Sequence, residues 1–328
     1  MPAAAIPRVS VFMPVYNGEP FLRQAIASVL GQTLDDLELV IVENGSSDGS
    51  RETARAAALG DRRVRVLEHP RPLGIVGAGN AGVRATRAAL VARQDQDDVS
   101  HPRRLERQVA ALERAPAAVA VGTLCVGVDA TGRPVRPRDR WRLVGRRALP
   151  PFPHGSTCMR RAAFERVGGY REGTYRWEDI DLFLRLEREG PVLVLPEALY
   201  RYRYHAGSLT ASADDERDDG GALMWRCIEA HRRGDDWSDL LRETPAGQAE
   251  TTAVAARVSR HRDGMKLWTG EALRDAAPAP TRVLRIRRAW QRTSPGTLRA
   301  TLRAAIVLRD LAAVALLPRK GPVRWRPR

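Results

Sequence analysis

The chain has 328 residues, 43% of them hydrophobic and 28% charged, which excludes a mainly disordered chain and a multispan membrane protein and leaves room for one large domain or two smaller ones. Its net charge of +15 is unevenly spread: Thr281 to Arg328 carries 13 Arg or Lys against Asp310 alone, so +12 of the excess belongs to the tail. The three cysteines, Cys125, Cys158 and Cys227, suit neither a disulfide framework nor a CxxC metal site and read as packing residues.

The first hundred residues alternate between strand and helix patterns. Arg8 to Val15 is β-rich, and Glu19 to Leu30 then sets Phe21, Leu22, Ala25, Ile26 and Val29 at helical spacing. Leu37 to Val42 is a near-continuous apolar run, followed by a turn over Asn44 to Gly49 and an Ala/Arg-rich helix from Ser50 to Leu59. Val64 to Leu67 predicts a third strand, Val76 to Ala88 a third helix, and Leu90 to Arg93 a fourth strand running into Asp95-Gln96-Asp97-Asp98. A helix from His101-Pro102 to Arg114 and a β-rich stretch from Val119 to Val128 follow; Asp129 to Pro153 reads as an irregular excursion. Beyond it the patterns predict helices near Arg160 to Val167 and Glu178 to Glu189, and strands near Val192 to Leu195 and Leu199 to Tyr204. Apolar strands alternating with helices define an α/β fold with a mostly parallel sheet covered on both faces. From about Ala213 the chain becomes helical and polar, which divides it into a region 1–212 and a basic region 213–328.

In such a sheet ligands bind beyond the carboxyl ends of the strands. Three of those ends carry polar residues: Pro14 to Gly18, Glu43 to Ser46, and Asp95 to Asp98. Acidic groups repel a diphosphate unless a divalent cation stands between them, and Mg²⁺ or Mn²⁺ prefers carboxylate and phosphate oxygens. The competing reading of the acidic run is a helix N-cap before His101-Pro102. GxxxxGK[ST] is absent, and Gly74-Ile75-Val76-Gly77-Ala78-Gly79 is not a dinucleotide fingerprint, so its glycines read as points of close backbone approach.

VSVFMPVYNGEPFLRQAIASVLGQT, LELVIVENGSSDGS, GNAG, VARQDQDDVSHPRRLERQVAAL, GSTCMRRAAFERVGGYRE, WEDIDLFLRL and LYRYRYHAGSLT occur in that order between Arg8 and Thr210. Together they resemble family 2 glycosyltransferases, whose fold is GT-A. The resemblance implies an inverting transfer of sugar from a nucleoside-diphosphate donor to a hydroxyl on a glycan or lipid-linked acceptor. It implies that Pro14, Tyr16 and Asn17 contact the nucleotide, and that Glu43 stands where the family usually has an aspartate on the uracil or ribose. Asn80 falls at an asparagine near the nucleotide. Asp95 and Asp97 fall on the family's DxD, Asp95 near the ribose and Asp97 on a Mn²⁺ or Mg²⁺ ion bridging the diphosphate, with His205 near the metal or diphosphate. Asp179 matches the acceptor-side base, and Glu178, Trp177 and His154 the acceptor side. Glu178 and Asp179 also suit the first turn of a helix on charge grounds alone. Arg201 and Arg203 are expected to face phosphate or solvent.

Leu298 to Leu317 mixes apolar residues with Arg299, Arg303 and Arg309, the composition of a helix lying on an anionic bilayer or packing on the catalytic domain. Without a basic, apolar leader, and with no uncharged stretch of the ~18–20 residues a span needs, the expected location is cytoplasmic, peripheral on the inner face of the membrane. A nucleic-acid-binding protein using the same arginines, or a sugar nucleotidyltransferase, is the alternative; the tail lacks interleaved aromatics, and PVYNG is not a glycine-rich basic loop.

Overall fold

The structure is a computed structural model that describes residues 5–135, 152–174, 177–208, 226–231 and 233–242. In chain order the elements are β1 (Val9–Val15), α1 (Leu22–Leu30), β2 (Leu37–Glu43), α2 (Ser50–Gly60), β3 (Val64–Glu68), α3 (Gly74–Ala85), β4 (Leu90–Arg93), β5 (Val99–Ser100), α4 (Arg104–Arg114), β6 (Ala120–Val128), β7 (Cys158–Arg160), α5 (Arg161–Arg166), α6 (Glu178–Glu189) and β8 (Val192–Arg203). The strands form one sheet in the order β3-β2-β1-β4-β7-β6-β8-β5.

The parallel core follows from the apolar runs. Every residue of β2 is buried, as a strand covered by helices on both faces requires. The acid within it, Glu38, accepts from Ser10 Oγ at 2.6 Å and from Arg87 N and Nε at 2.7 and 2.8 Å. Helix α1 buries Leu22, Ala25, Ile26 and Val29 along one face. Helix α3 lies close to the sheet because it presents glycine: a Cβ on Gly82 would stand 3.0 Å from the Phe12 ring, and one on Gly79 2.8 Å from the Tyr170 ring.

Three features differ from the sequence expectation. The three-residue β7, antiparallel to both β4 and β6, interrupts the parallel order; it is too short to leave a period in the sequence. The two-residue β5 pairs antiparallel with β8. The two strands expected over 192–204 are one strand, β8, parallel to β6, with register shifts where Pro196 and Glu197 lie between the paired residues Leu195 and Ala198. A bulge there absorbs the proline, which has no N–H for the ladder. Because β7 opposes both its neighbours, β1, β2, β4, β6 and β8 all point their carboxyl ends to one edge of the sheet.

Residues from 226–231 and 233–241 pack on the start of α6: Trp177, Leu184, Cys227, Ile228, Ala230 and Trp237 form a buried cluster. The polar centre of this contact is Asp181, which is wholly buried. It accepts from Trp237 Nε1 at 2.8 Å and from Arg185 Nη2 at 2.6 Å, and pairs with Arg171. Burial would raise its pKa, but those partners hold it below the usual carboxylate value. Asp181→Asn should leave the two arginines without their carboxylate, cost about 3–5 kcal/mol and lower the thermal midpoint by roughly 10 °C; circular dichroism melts measure it.

Among the described residues no helix is long and apolar enough to cross a membrane. The amphipathic stretch at 298–317, most of the excursion at 129–153 and most of the region 213–328 lie outside the described residues.

Candidate active site

The loops after β1, β2 and β4 meet at the carboxyl edge of the sheet. Pro14 still belongs to β1, in register with Val42. Asn17 takes a left-handed conformation (φ 51°), the strained position that asparagine tolerates better than most residues. Its side chain accepts from Ser47 N at 2.8 Å, its amide donates to Ser46 Oγ at 3.1 Å, and Gly18 N donates to Ser50 Oγ at 2.8 Å. The first two loops are thereby stitched together. Gln96, between the two DxD aspartates, ties in the third: Tyr16 N donates to its Oε1 at 2.8 Å, and its Nε2 donates back to Tyr16 O at 3.0 Å. The Tyr16 ring is half exposed beside this clasp.

Glu43 is wholly buried at the end of β2. It accepts from Ser46 N at 2.6 Å and Arg51 Nε at 3.1 Å. Burial alone would raise its pKa, but these bonds hold it low. Its visible work is to brace the 43–51 turn with both oxygens. The amide of Asn80 is likewise engaged, donating to Tyr170 O and accepting from Tyr170 N, each at 2.9 Å. Asn80 therefore fixes the loop that carries Tyr170.

Asp95 accepts from Arg93 Nε at 2.7 Å. Asp97 Oδ2 lies 2.8 Å from His205 Nε2, and the His205 ring packs 4.7 Å from Phe21. Two residues 108 apart in the chain thus meet because the carboxyl ends of β4 and β8 share an edge. Arg203 corrects the expectation of a phosphate-facing or solvated side chain: it is 3% exposed. Its guanidinium donates to Asp97 O at 2.7 Å, Gln24 Oε1 at 2.6 Å and Ala130 O at 3.0 Å, and lies over Phe21. It knots the acidic loop to its neighbours. The third acid, Asp98, is buried and accepts from Arg203 N at 2.7 Å; burial, then Asp97 and Asp95, push its pKa up.

Glu178 and Asp179 open α6. Asp179 Oδ1 accepts from Ile180 N at 2.8 Å, and Glu178 is 5% exposed. Burial raises the pKa of both, and the neighbouring Asp179 adds to the rise at Glu178, which reaches about 7. The charges of Arg93 and Asp95 act on both, Arg93 favouring ionisation and Asp95 opposing it. The Asp95 carboxylate and the Arg93 guanidinium that it accepts from at 2.7 Å are therefore near enough for their charges to act on both Glu178 and Asp179. His154, its side chain 9% exposed, packs on Tyr170, with Nε2 2.7 Å from the Tyr170 hydroxyl and Nδ1 3.8 Å from Glu178 Oε1. Trp177 is placed differently from the acceptor-lining position expected of it: its ring is 3% exposed and belongs to the apolar cluster with Leu184 and Trp237.

Among the described residues no cluster of three or more His, Cys, Asp or Glu could cage a metal ion. Mg²⁺ needs no such cage when substrate phosphates are present, since one or two carboxylates and waters complete its shell. Asp97 and His205, 2.8 Å apart, could serve as an open pair of that kind. Sequence reasoning missed Arg93 and Tyr170. A charged residue closing the apolar strand β4 was the available sign of Arg93; nothing local distinguished Tyr170.

A mixed sheet of this order, with an acidic loop after its fourth strand and a carboxylate pair facing that loop, is the architecture of a GT-A glycosyltransferase. The model of Glycosyl transferase family 2 matches residues 10–170. The chain is 37% identical over 213 residues to the putative glycosyltransferase EpsE of Bacillus subtilis, covering 60% of this chain and 73% of that protein. It is 25% identical over 202 residues to a chondroitin synthase of Escherichia coli, covering 61% of this chain and 29% of that protein. Among solved structures, S. aureus TarS 1-349 in complex with UDP-GlcNAc superposes with a TM-score of 0.58 at 16% identity, covering 94% of this chain and 89% of that one. The mannosyltransferase PcManGT of Pyrobaculum calidifontis, in complex with GDP-Man and Mn²⁺, gives 0.51 at 17% identity, covering 95% and 88%. The chain belongs to glycosyl transferase family 2 and is a glycosyltransferase.

Proposed function

We propose that this enzyme transfers a sugar, with inversion, from a nucleoside-diphosphate donor to a hydroxyl of a glycan or lipid-linked acceptor during polysaccharide or cell-envelope glycan assembly. The observation that carries the reading is that Asp95, at the end of β4, and the Glu178–Asp179 pair, at the start of α6, lie near enough for the charges of Asp95 and its partner Arg93 to act on both acids of the pair. A chondroitin synthase among the relatives and a UDP-GlcNAc complex among the structural neighbours support the substrate class.

A sugar hydroxyl is a poor nucleophile, so a carboxylate must take its proton as the new C–O bond forms; such help is typically worth ~10²–10⁴-fold. Asp179 is the base: its oxygen attracts the acceptor proton while the acceptor oxygen attacks the anomeric carbon. The bond from that carbon to the diphosphate oxygen breaks on the opposite side, and the bonding pair leaves with the nucleoside diphosphate. Asp97 and His205, with Asp95 nearer the ribose, would hold a divalent cation, which supplies charge neutralisation for the leaving diphosphate. Tyr16 offers an exposed ring against the base. The residues from 213 onward make a basic C-terminal region whose last part, 281–328, meets anionic lipid at the inner face of the membrane, where lipid-linked acceptors would be presented.

The test is a panel of UDP- and GDP-sugars with Mn²⁺, read as release of nucleoside diphosphate. One or more donors should be consumed, and EDTA should remove at least nine tenths of the rate, since a Lewis acid contributes several kcal/mol, about tenfold per 1.4 kcal/mol. Full activity in EDTA would remove the cation from the reading.

A further inference from the structure

Between the two carboxylate groups runs a set of side chains that the reaction above does not use. Arg93 closes β4 with its side chain 6% exposed and its Nε on Asp95. The Tyr170 hydroxyl lies near enough to feel the charge of that guanidinium, whose Nη1 is buried without a partner among the described residues. Tyr170 is buried, its ring 5.2 Å from Phe164 and 5.5 Å from His154, and its backbone is held by Asn80 on both sides. The hydroxyl meets His154 Nε2 at 2.7 Å, and His154 Nδ1 faces Glu178 Oε1 at 3.8 Å.

The direction of these contacts follows from what each group can give. A carboxylate oxygen accepts, so the His154 Nδ1 turned to Glu178 Oε1 at 3.8 Å carries the ring proton, and Nε2 accepts the one hydrogen of the Tyr170 hydroxyl at 2.7 Å. Burial, then the charge of Arg93, keep the imidazole neutral. A neutral ring that accepts at Nε2 carries its proton on Nδ1, the nitrogen turned to Glu178. Glu178 Oε2, its other oxygen, is buried and has no partner among the described residues.

We propose that Arg93, Tyr170 and His154 are positioning residues that fix His154 as the Nδ1–H tautomer, so that Glu178 is steadied through Oε1 and offers Oε2 to the incoming sugar hydroxyl beside Asp179. The hydroxyl in this statement rests on the transfer reading; the tautomer does not.

Imidazole ¹⁵N spectra of the unliganded full chain, with His154 assigned by comparison with His154→Gln, should show protonation on Nδ1 in the wild type. Tyr170→Phe keeps the ring packing and removes the hydroxyl; it should move His154 to the Nε2–H form that free imidazole favours. The same variant should lower kcat about 10–100-fold while the KM for the nucleotide sugar stays within about twofold. Arg93→Lys should retain more turnover than Arg93→Gln. A wild-type His154 protonated on Nε2, or unchanged imidazole signals in Tyr170→Phe, overturns the chain of contacts. A switched tautomer with wild-type kcat overturns its part in the reaction. A wild-type protein that consumes no nucleotide sugar defeats the transfer reading instead, and the spectra still decide the tautomer.

Discussion

Asp179→Asn should lower sugar transfer by about 10²–10⁴-fold while nucleotide binding and thermal stability stay near wild type. Asparagine has nearly the same shape, and its amide oxygen can still accept from Ile180 N, the bond that aligns Asp179 at the start of α6. What it loses is the capacity to take a proton. The same base gives the rate its pH dependence. Burial raises both acids above the ordinary carboxylate range, and Asp179 adds to the rise at Glu178, which reaches about 7, so the adjacent groups titrate together. The ionised base is the active form; kcat therefore rises with pH along an acid limb whose midpoint lies above that of a free aspartate. Stopped assays of nucleoside diphosphate release across pH measure both effects. A fully active Asp179→Asn enzyme would assign the base elsewhere.

Asp97→Ala should abolish Mn²⁺-dependent binding of UDP or GDP and reduce turnover by about 10²–10³-fold, the equivalent of the several kcal/mol a Lewis acid provides. The fold should survive. Arg203 grips the Asp97 carbonyl rather than its carboxylate, so the knot that holds the acidic loop is untouched. The carboxylate itself is partly exposed, and its partner in the protein is His205. Calorimetric titration with UDP and GDP, with and without Mn²⁺, separates this outcome from a folding defect. Binding that stays equally tight and equally Mn²⁺-dependent would take Asp97 out of the cation's shell.

The parts of the molecule legible in the sequence are those whose physics is local or periodic. The strands β1 and β2 announce themselves because both faces are covered and the apolar run is unbroken. The helix α1 shows its face through Leu22, Ala25, Ile26 and Val29. The DxD and the Glu178–Asp179 pair could be placed by motif order. Less visible were contacts set by strand order. Arg93 and Tyr170 are far apart in sequence and come together only because β7 enters beside β4 and the chain returns past α3. The burial of Trp177 depends on Cys227, Ile228, Ala230 and Trp237, which no motif links to α6. The knot at Arg203 was hidden for the opposite reason: an arginine in a tyrosine-rich strand near an acidic loop suggests a ligand contact, whereas the backbone carbonyls of Asp97 and Ala130 had the prior need for a donor.

Gln96 grips residue 16 by its main chain alone, through one accepted and one donated bond. The shape of the entrance is thereby uncoupled from whichever ring stands at that position. With Tyr16 against the nucleotide base, as proposed, donor preference would be retuned by exchanging that one aromatic, whereas replacing Gln96 would disturb every ring placed there.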